Sequence, residues 1–384
     1  MTPSPRILIL TAGFGEGHNA AARALAQAFE EDTPGSAVVV DLFALTRPRV
    51  NRLLRWGYLK MINTLPGVWS RVYRWMDTSR FLPRWTAGMS AERRRLAELL
   101  AQERPSALCC TFPVYPYLLR RLEREGHAIP PVYTIVTDSI SINSLWWKAE
   151  SDGWFLPNED SAQVMRQAGV DPDRLFVSGF PVNLFFVRQA GALVPANLAR
   201  GQSPAILYII NSGTANAEET ARLLLAEESW DITCAVGRDE ALRRRLEALA
   251  SGRKRPARIL GWTDEIPRLL MTHHVVVSKA GGATTQEAIA ARCPMVVNQV
   301  VPGQEEGNFE LLRRHNAGVL APTPELVLAA LKDAFESNAV GWHAWRTALV
   351  ALARPGAART IAAHVIRGRE HASEADLPAP EAVL

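Results

Sequence analysis

The sequence has few cysteines and no long apolar segment, and both absences exclude whole classes of protein. Only four of its 384 residues are cysteines, Cys109, Cys110, Cys234 and Cys293, and none stands in a CxxC spacing or beside a histidine at ligand spacing. We therefore expect reduced, mostly buried thiols and no bound zinc. No run of 18 apolar residues is available to cross a bilayer, and residues 1–6 lack the basic and apolar regions of a signal peptide. We expect a cytoplasmic protein.

Neither sign of charge dominates the composition, and the sequence contains no internal repeat. The chain has 48% hydrophobic and 21% charged residues, which is typical of a soluble globular enzyme and excludes a fibrous or disordered chain. Its length exceeds what one hydrophobic core usually organises, so we expect two domains of roughly 150 to 200 residues. The net charge of +4 is too small for a nucleic-acid-binding protein if it is spread evenly.

The positive charge is concentrated in residues 47–95, which we call the basic aromatic segment. It holds twelve Lys or Arg residues against Asp77 and Glu92, a net charge of +10 that leaves −6 for the rest of the chain. Four of the 11 tryptophans also lie in it, namely Trp56, Trp69, Trp75 and Trp85. Cations mixed with aromatic rings favour the boundary between water and an anionic membrane. The alternatives are a helical lid with a solvated basic face and a nucleic-acid surface.

Short apolar runs alternate with longer helical patterns, which predicts α/β domains with doubly wound parallel sheets. Strands are expected at 6–11, 37–43, 106–111, 132–138 and near Phe176, and in the second half at 205–210, 232–236, 258–261, 274–278, 295–300 and 318–320. We therefore predict one domain over residues 1–190 and a second over residues 200–338. Residues 339–368 are expected to form helices that pack back toward the first domain, and residues 371–384 a disordered tail.

The first strand leads into a glycine-rich turn, Gly13-Phe14-Gly15-Glu16-Gly17-His18-Asn19. Alternate glycines let the backbone approach a ligand, and the following helix offers free N–H groups and positive potential. With Asp41 at the end of the second strand, the turn is a weak match to a dinucleotide site. His18 replaces the third glycine of that motif, so we interpret it as a base that the helix N-terminus keeps neutral. A capping or packing histidine is the alternative.

A second small-residue turn, Lys279-Ala280-Gly281-Gly282-Ala283-Thr284-Thr285, opens a helix after the strand at 274–278. Its backbone amides and two hydroxyl groups suit a diphosphate. We expect no DxD pair in the loops to hold a divalent ion, so amides and the helix dipole would have to meet the charge of a leaving diphosphate. The carboxylate of Glu287, one turn further along, is suited to accept hydrogen bonds from a ribose diol. The alternative is an ordinary glutamate in the first turn of a helix, where the helix dipole favours it.

A third loop, Pro302-Gly303-Gln304-Glu305-Glu306-Gly307-Asn308, follows the strand at 295–300. Polar side chains between glycines at the carboxyl end of a strand suit hydrogen bonding to a hexose. Asn308 also suits the cap of the next helix. A solvated turn is the alternative interpretation.

In this order the three motifs, with Thr111-Phe112-Pro113 and Thr137-Asp138, resemble the monogalactosyldiacylglycerol synthase and processive diacylglycerol glucosyltransferase group of glycosyltransferase family 28. The resemblance covers about residues 6–322. It implies a GT-B fold, in which two Rossmann-like domains face one cleft. It also implies a UDP-sugar donor on the C-terminal domain, a lipid acceptor on the N-terminal domain, and inversion without a cofactor or a metal in the active site.

The resemblance further assigns roles to single residues. His18 matches the base for the acceptor hydroxyl. The nucleotide and its diphosphate are expected at Gly15, Gly17, Ser212, Gly213, Trp262, Thr263, Gly281, Gly282, Ala283, Thr284 and Glu287. The donor sugar is expected at Gln304, Glu305 and Asn308. The lipid acceptor and the membrane are expected at Arg52, Arg55, Trp56, Trp69, Arg71, Arg74, Trp75, Asp138 and Trp146.

Two positions depart from the family pattern, and both bear on the acceptor. Asn143 stands where a histidine is common, ahead of Trp146. Asn183 stands where an arginine is common, near the hinge.

The function that these expectations describe is glycolipid synthesis at the inner face of the cell membrane. Glucose or galactose would be moved from a UDP-sugar to a lipid hydroxyl, with diacylglycerol as the expected acceptor and no nucleic-acid partner. Both sugars present similar hydroxyls to Gln304 and Glu305, so the donor stays open, as does the oligomeric state. A UDP-sugar isomerase of the 2-epimerase type and a non-catalytic UDP-sugar sensor at the membrane are the alternatives.

Overall fold

The chain folds into two α/β domains, each built on a six-stranded parallel sheet. The computed structural model describes residues 6–49, 51–53, 57, 71, 88–211, 214, 216–303 and 305–375. In the first sheet the strand order is β2-β1-β3-β4-β5-β6. Its strands are β1 (Ile7–Thr11), β2 (Ala37–Asp41), β3 (Ala107–Cys110), β4 (Val132–Ile135), β5 (Gly153–Leu156) and β6 (Leu175–Val177).

The second sheet has the order β12-β11-β10-β7-β8-β9. Its strands are β7 (Ala205–Ile209), β8 (Asp231–Ala235), β9 (Arg258–Leu260), β10 (Val275–Lys279), β11 (Met295–Gln299) and β12 (Gly318–Leu320). Read from the β9 edge, this is the strand order of a Rossmann fold. The predicted pair of doubly wound sheets is therefore confirmed.

Helices cover both faces of each sheet. Those of the first half are α1 (Glu16–Asp32), α2 (Leu42–Thr46), α3 (Ser90–Glu103), α4 (Tyr115–Arg124), α5 (Glu159–Gln167) and α6 (Phe185–Arg188). Those of the second half are α7 (Ala217–Ala226), α8 (Glu240–Ala250), α9 (Ile266–Thr272), α10 (Gly282–Ala291), α11 (Glu306–Arg314), α12 (Pro324–Leu352) and α13 (Ala357–Ala375). Helix α12 is kinked where residues 337–339 adopt left-handed backbone angles.

Strand β5 is the one strand among the described residues that the sequence did not predict. It is only four residues long, and all four are buried. A strand buried on both faces shows no alternation of polar and apolar residues, so the pattern that identifies a half-buried strand is missing.

The cores lie on both faces of each sheet, as a doubly wound fold requires. In β1, Leu8 and Leu10 pack into the cluster on one face, and Ile7 and Ile9 pack into the cluster on the other. Each such side chain stabilises the fold by roughly 1.5–3 kcal/mol on burial. The four cysteines are buried and free, which confirms the expectation for the thiols. No helix among the described residues has the length and apolarity to span a bilayer.

The last helix returns to the first domain. Ile361 and Val365 of α13 are buried in the same cluster as Leu25 of α1. The Arg359 guanidinium of α13 also donates to Glu31 of α1, at 2.7 Å from Nε to Oε2. Helix α13 ends at Ala375, and residues 376–384 of the predicted disordered tail lie outside the described residues.

Candidate active site

His18 lies at the point where the strand order of the first sheet reverses. It is in the first turn of α1, directly after β1, and the neighbouring strand in the sheet is β3. Ligands of open parallel sheets bind at such reversal points, beyond the carboxyl ends of the strands. The glycine-rich turn and the chain after β3 therefore meet at the expected position for a ligand.

The hydrogen bonds of His18 define its tautomer. Its Nδ1 lies 2.7 Å from the Thr111 carbonyl oxygen and 2.9 Å from the Thr137 hydroxyl oxygen. A carbonyl oxygen can only accept, so Nδ1 carries the proton and donates it. The Nε2 atom is then unprotonated, and no group among the described residues hydrogen-bonds to it. This ring nitrogen is available to accept a proton.

Burial lowers the pKa of His18 to about 4, while the hydrogen bond to Thr111 acts in the opposite direction. The imidazole is therefore neutral at neutral pH, as the sequence predicted. The cause differs from the prediction, because desolvation of the ring lowers the pKa. The surroundings are aromatic: the ring centroid of Phe112 is 5.1 Å away in an edge-to-face arrangement, and that of Trp146 is 5.9 Å away.

Trp146 and Asp138, both predicted on the acceptor side, form part of the wall beside His18. The Trp146 indole N–H donates to Asp138 Oδ2 at 2.8 Å, and the ring is 2% exposed. The indole thus packs inside the domain. Asn143 caps the short 3-10 turn Ser144–Trp146 by accepting the Leu145 N–H. Asn183 accepts the Phe185 N–H at 2.9 Å. The side chains at the two departures from the family pattern therefore each bond to a backbone N–H two residues further on.

On the second domain, the small-residue turn lies at the corresponding reversal point. It connects β10 to α10, and β10 is the neighbour of β7 in the sheet. Gly281 is the N-cap of α10 and has no side chain to cap the helix. The first-turn amides of α10 therefore have no side-chain acceptor at the cap, which is the arrangement that binds anions.

The two predicted turns approach each other across the domain boundary. A Cβ atom built on Gly17 would lie 3.8 Å from the Ala283 backbone nitrogen. A Cβ atom built on Gly282 would lie 3.8 Å from the Thr137 carbonyl oxygen. The threonine that holds His18 is therefore next to the turn predicted to bind the diphosphate.

Glu287 and Asn308 of the second domain have acceptor atoms that no described residue bonds. Burial raises the pKa of the Glu287 carboxyl to about 7, and none of the described residues donates a hydrogen bond to it. Asn308 is 4% exposed, and its amide nitrogen donates to the Ala280 carbonyl at 3.0 Å. Its Oδ1 atom is buried without a partner among the described residues. A ligand with hydroxyl groups would supply the missing donors.

The other predicted donor residues are placed as follows. Glu305 is 6% exposed, and its carboxylate accepts from Lys279 Nζ at 2.5 Å and from the Val301 N–H at 3.0 Å. Trp262 follows β9 and is 68% exposed, and the Thr263 hydroxyl accepts the Glu265 N–H at 3.1 Å. Gly15 is the N-cap of α1, and Thr284 lies half-buried in the first turn of α10. Ser212, Gly213 and Gln304 lie outside the described residues.

Most of the basic aromatic segment also lies outside the described residues, including Arg55, Trp56, Trp69, Arg74 and Trp75. Arg52 and Arg71 are described and exposed. At the ends of the segment, Arg47 Nε is 3.1 Å from Oε1 of the buried Glu92. This ion pair connects the start of the segment to α3.

Sequence reasoning missed the contacts that join the two domains. Gln286 of α10 donates to the Ser139 hydroxyl at 3.0 Å, and both side chains are buried. Ile140 packs into a core cluster of the second domain with a left-handed φ of 55°, which is strained for a β-branched residue. A Cβ atom on Gly307 would overlap the Ser139 carbonyl oxygen. Gly307 is therefore required for this close approach of the backbones.

No group of three or more His, Cys, Asp or Glu side chains in the described part of the chain could hold a metal ion. The expectation that the loops hold no DxD pair is wrong in one place, because Asp171-Pro172-Asp173 of the first domain is such a sequence. There Asp171 accepts the Asp173 N–H at 3.0 Å, as the cap of a 3-10 turn.

Comparisons with known proteins agree with this architecture. Residues 18–182 match the family model described as monogalactosyldiacylglycerol (MGDG) synthase. The processive diacylglycerol beta-glucosyltransferase of Bacillus cytotoxicus is 26% identical over 326 residues, 83% of each chain. The crystal structure of MurG from Acinetobacter baumannii is similar with a TM-score of 0.59 at 13% identity, covering 94% of this chain and 100% of its own.

A fourth similarity concerns an enzyme of another reaction class. The crystal structure of UDP-GlcNAc 2-epimerase from Neisseria meningitidis, bound to UDP-GlcNAc, has a TM-score of 0.58 at 12% identity, covering 94% of this chain and 100% of its own. At these identities the solved structures show the fold, and the predicted GT-B fold is confirmed. The family model and the curated relative confirm the resemblance to the monogalactosyldiacylglycerol synthase and processive diacylglycerol glucosyltransferase group.

Proposed function

We propose that the protein is an inverting glycosyltransferase that moves a hexose from a UDP-sugar to the hydroxyl group of a membrane lipid, with diacylglycerol as the acceptor. One observation carries the proposal. His18 has an unprotonated Nε2, and its Nδ1 is within hydrogen-bonding distance of the Thr137 hydroxyl. Thr137 in turn lies beside the anion-binding turn at Gly282. A proton acceptor and a site for a leaving diphosphate thus lie on opposite sides of one domain boundary.

The acceptor side supplies the base. The lipid oxygen would form a bond to the anomeric carbon while the bond from that carbon to the diphosphate oxygen breaks, through an oxocarbenium-like state. His18 Nε2 would take the hydroxyl proton, a step that contributes roughly 10² to 10⁴-fold. The Thr111 carbonyl, which accepts from Nδ1 at 2.7 Å, would stabilise the imidazolium as it forms.

The donor side supplies hydrogen bonds. The Glu287 carboxylate would accept hydrogen bonds from the two ribose hydroxyls, which satisfies a group that lacks donors in the described structure. The first-turn amides of α10 would hold the diphosphate, and the loop at Trp262 would meet the uracil. Asn308 Oδ1 and Glu305 would accept hydrogen bonds from hydroxyls of the sugar.

The basic aromatic segment would attach the enzyme to anionic lipid at the inner face of the cell membrane. Its net charge of +10 contrasts with −6 for the remaining chain. Each Lys or Arg near an anionic surface contributes about 1 kcal/mol of attraction. The segment ends within α3, in the domain that carries His18, so the membrane and the acceptor would be on the same side of the cleft.

Two other functions share the fold, and one observation favours transfer to a lipid over both of them. An isomerase needs a UDP-sugar and no lipid, and a sensor needs binding without turnover. The match to the monogalactosyldiacylglycerol synthase model covers residues 18–182, which is the acceptor half of the chain. A donor site alone would not require similarity in this half.

The test is an assay of the whole protein with vesicles of an anionic phospholipid and diacylglycerol. UDP-glucose and UDP-galactose are supplied separately, and the lipid products are analysed by chromatography and mass spectrometry. We expect a hexosyl lipid from at least one donor, with the opposite anomeric configuration to the donor. Conversion of the UDP-sugar without lipid would select the isomerase. Binding of UDP-sugar with no turnover would select the sensor.

A second experiment tests the membrane contact. Arg52, Arg55, Arg71 and Arg74 are replaced together by Glu, and vesicle sedimentation, lipid turnover and UDP affinity are compared with those of the unmodified protein. We expect lower vesicle binding and lower turnover at unchanged UDP affinity. Equal loss of UDP affinity would mean that the segment supports the fold instead.

A further inference from the structure

Lys279, the last residue of β10, forms an ion pair beside the anion-binding turn. Its Nζ atom is 2.5 Å from Glu305 Oε1, and the side chains are 24% and 8% exposed. The second carboxylate oxygen of Glu305 accepts the Val301 N–H at 3.0 Å. Both oxygens of this buried carboxylate are therefore engaged, and the lysine is its only cationic partner among the described residues.

This ion pair lies against the cap of α10. A Cβ atom built on Gly281 would be 3.7 Å from Lys279 Cε, 4.0 Å from Nζ and 3.8 Å from Glu305 Oε1. The same glycine is the N-cap whose following amides form the anion-binding turn. An anion held by these amides would therefore have one positive and one negative side chain as close neighbours.

Glu305 and Lys279 carry opposite charges, so they would have opposite effects on a bound diphosphate. A buried carboxylate that is this close to the turn would repel a diphosphate, and the repulsion would be large because water does not screen it well. The Lys279 ammonium group cancels that charge in the structure. Its flexible four-carbon chain and three N–H groups also allow it to bond to a second anion without leaving Glu305.

We propose that Lys279 is a further catalytic residue, which neutralises Glu305 and stabilises the negative charge of the departing diphosphate. The inference rests on the proposed function. When the bond from the anomeric carbon breaks, its electron pair stays on the diphosphate oxygen, and the acceptor proton goes to His18. Lys279 gains and loses no proton, and its contribution is electrostatic. Since the charge on that oxygen grows toward the transition state, the stabilisation is larger there than in the bound donor.

The experiment compares Lys279→Met with Lys279→Arg, Glu305→Gln and the double variant Lys279→Met/Glu305→Gln. Affinities for UDP and for uridine are measured by calorimetry, together with kcat for lipid glycosylation. We expect Lys279→Met to weaken UDP binding roughly ten- to a hundred-fold while uridine binding changes little, because only UDP carries the diphosphate. Its kcat should also fall, and Lys279→Arg should keep part of both.

The double variant separates the two parts of the proposal. If the unpaired carboxylate repels the diphosphate, removing its charge should return part of the UDP affinity that Lys279→Met loses. Lys332→Met is the matched control, because Lys332 pairs with Glu227 at 3.6 Å in the same domain, away from the turn. Its UDP affinity and kcat should stay at the wild-type level.

Equal losses of UDP and uridine affinity in Lys279→Met would overturn the proposal, since the lysine would then only brace the loop that carries Glu305. A double variant no better than Lys279→Met would remove the neutralising role. The proposed function fails by a different result, namely no lipid product from the wild-type protein with either donor. The comparison of UDP with uridine stays measurable in that case.

Discussion

The two halves of the candidate site differ in how far their hydrogen bonds are completed. On the first domain, His18 Nδ1 already has the Thr111 carbonyl and the Thr137 hydroxyl as partners. On the second domain, Glu287 and Asn308 Oδ1 have no donors among the described residues. His18, the proposed base, is therefore oriented before any substrate binds, whereas the proposed donor side lacks partners that a ligand can supply.

This difference fits the roles that we propose for the two sides. A base must keep one tautomer and one orientation, and a fixed hydrogen bond to its far nitrogen achieves both. A binding site gains affinity when the ligand satisfies groups that the protein leaves unpaired. Changes on the first domain should therefore affect the rate, and changes on the second domain should affect the affinity for the donor.

The largest effect is expected from His18→Ala. Removal of this proposed base should lower kcat by roughly 10²–10⁴-fold and leave UDP affinity unchanged. Thr137→Val is the matched variant, because it removes one contact of the ring and keeps the Thr111 carbonyl; its loss should be only a few-fold. Steady-state rates and UDP calorimetry give both quantities. Turnover of His18→Ala near the wild-type rate would eliminate His18 as the base.

A smaller effect is expected from Gly307→Ala, which acts on the contact between the two halves. The new methyl group would overlap the Ser139 carbonyl oxygen, so the domains would have to separate slightly. Overpacking typically costs about 1–3 kcal/mol, which corresponds to roughly a 5- to 150-fold loss in kcat/KM if closure is required. UDP affinity should change less than kcat/KM.

Gly252→Ala is the control for this substitution, because no atom lies within 4 Å of its added Cβ. It should behave as wild type. Wild-type kcat/KM in Gly307→Ala would mean that the reaction does not need the observed approach of the two domains.

The sequence was most informative where a local pattern has one structural meaning. The alternation of strands and helices predicted both sheets, and the turns after β1 and β10 were placed correctly at the carboxyl ends of their strands. Thr111 and Thr137 were within reach of the same reasoning, because both lie at the carboxyl ends of predicted strands. What identifies them is their contact with His18, across 93 and 119 positions of sequence respectively.

The contacts between the domains had no signal in the sequence. Gly307 reads as an ordinary loop glycine, and its requirement comes from Ser139, a residue of the other domain. Lys279 likewise reads as the first residue of a turn, and its pairing with Glu305 depends on how β10 and α11 are arranged. Such roles depend on tertiary geometry and not on any periodicity.

The affinity for UDP is expected to change by about tenfold with pH. Burial raises the pKa of Glu287 to about 7, and hydrogen bonds from the ribose hydroxyls would favour its charged form. UDP binding should therefore tighten by about tenfold from pH 6 to pH 8 and level off above that. Glu287→Gln should bind more weakly and lose this dependence, as should 2′-deoxy-UDP with the wild-type protein. The same pH profile in Glu287→Gln would assign the titration to another group.

The smallest effect is expected in the stability of the folded protein. The contributions of His18 and Glu287 to that stability should change in opposite directions with pH. Burial lowers the pKa of His18 to about 4, so its neutral form is favoured in the fold and stability is lost as the pH falls from about 6.5. Burial raises the pKa of Glu287 to about 7, so the folded protein holds that proton more tightly than the unfolded chain, and stability is lost as the pH rises from about 4.5 through 7.

Glu287→Gln should thus match the stability of the wild-type protein near pH 4.5 and exceed it above pH 7, by about 1–2 kcal/mol after screening by solvent. Thermal unfolding of both proteins at several pH values measures the difference. A wild-type protein that is more stable than Glu287→Gln at pH 8 would mean that the carboxylate already has a partner, and the contrast between a completed base and an incomplete donor site would fail.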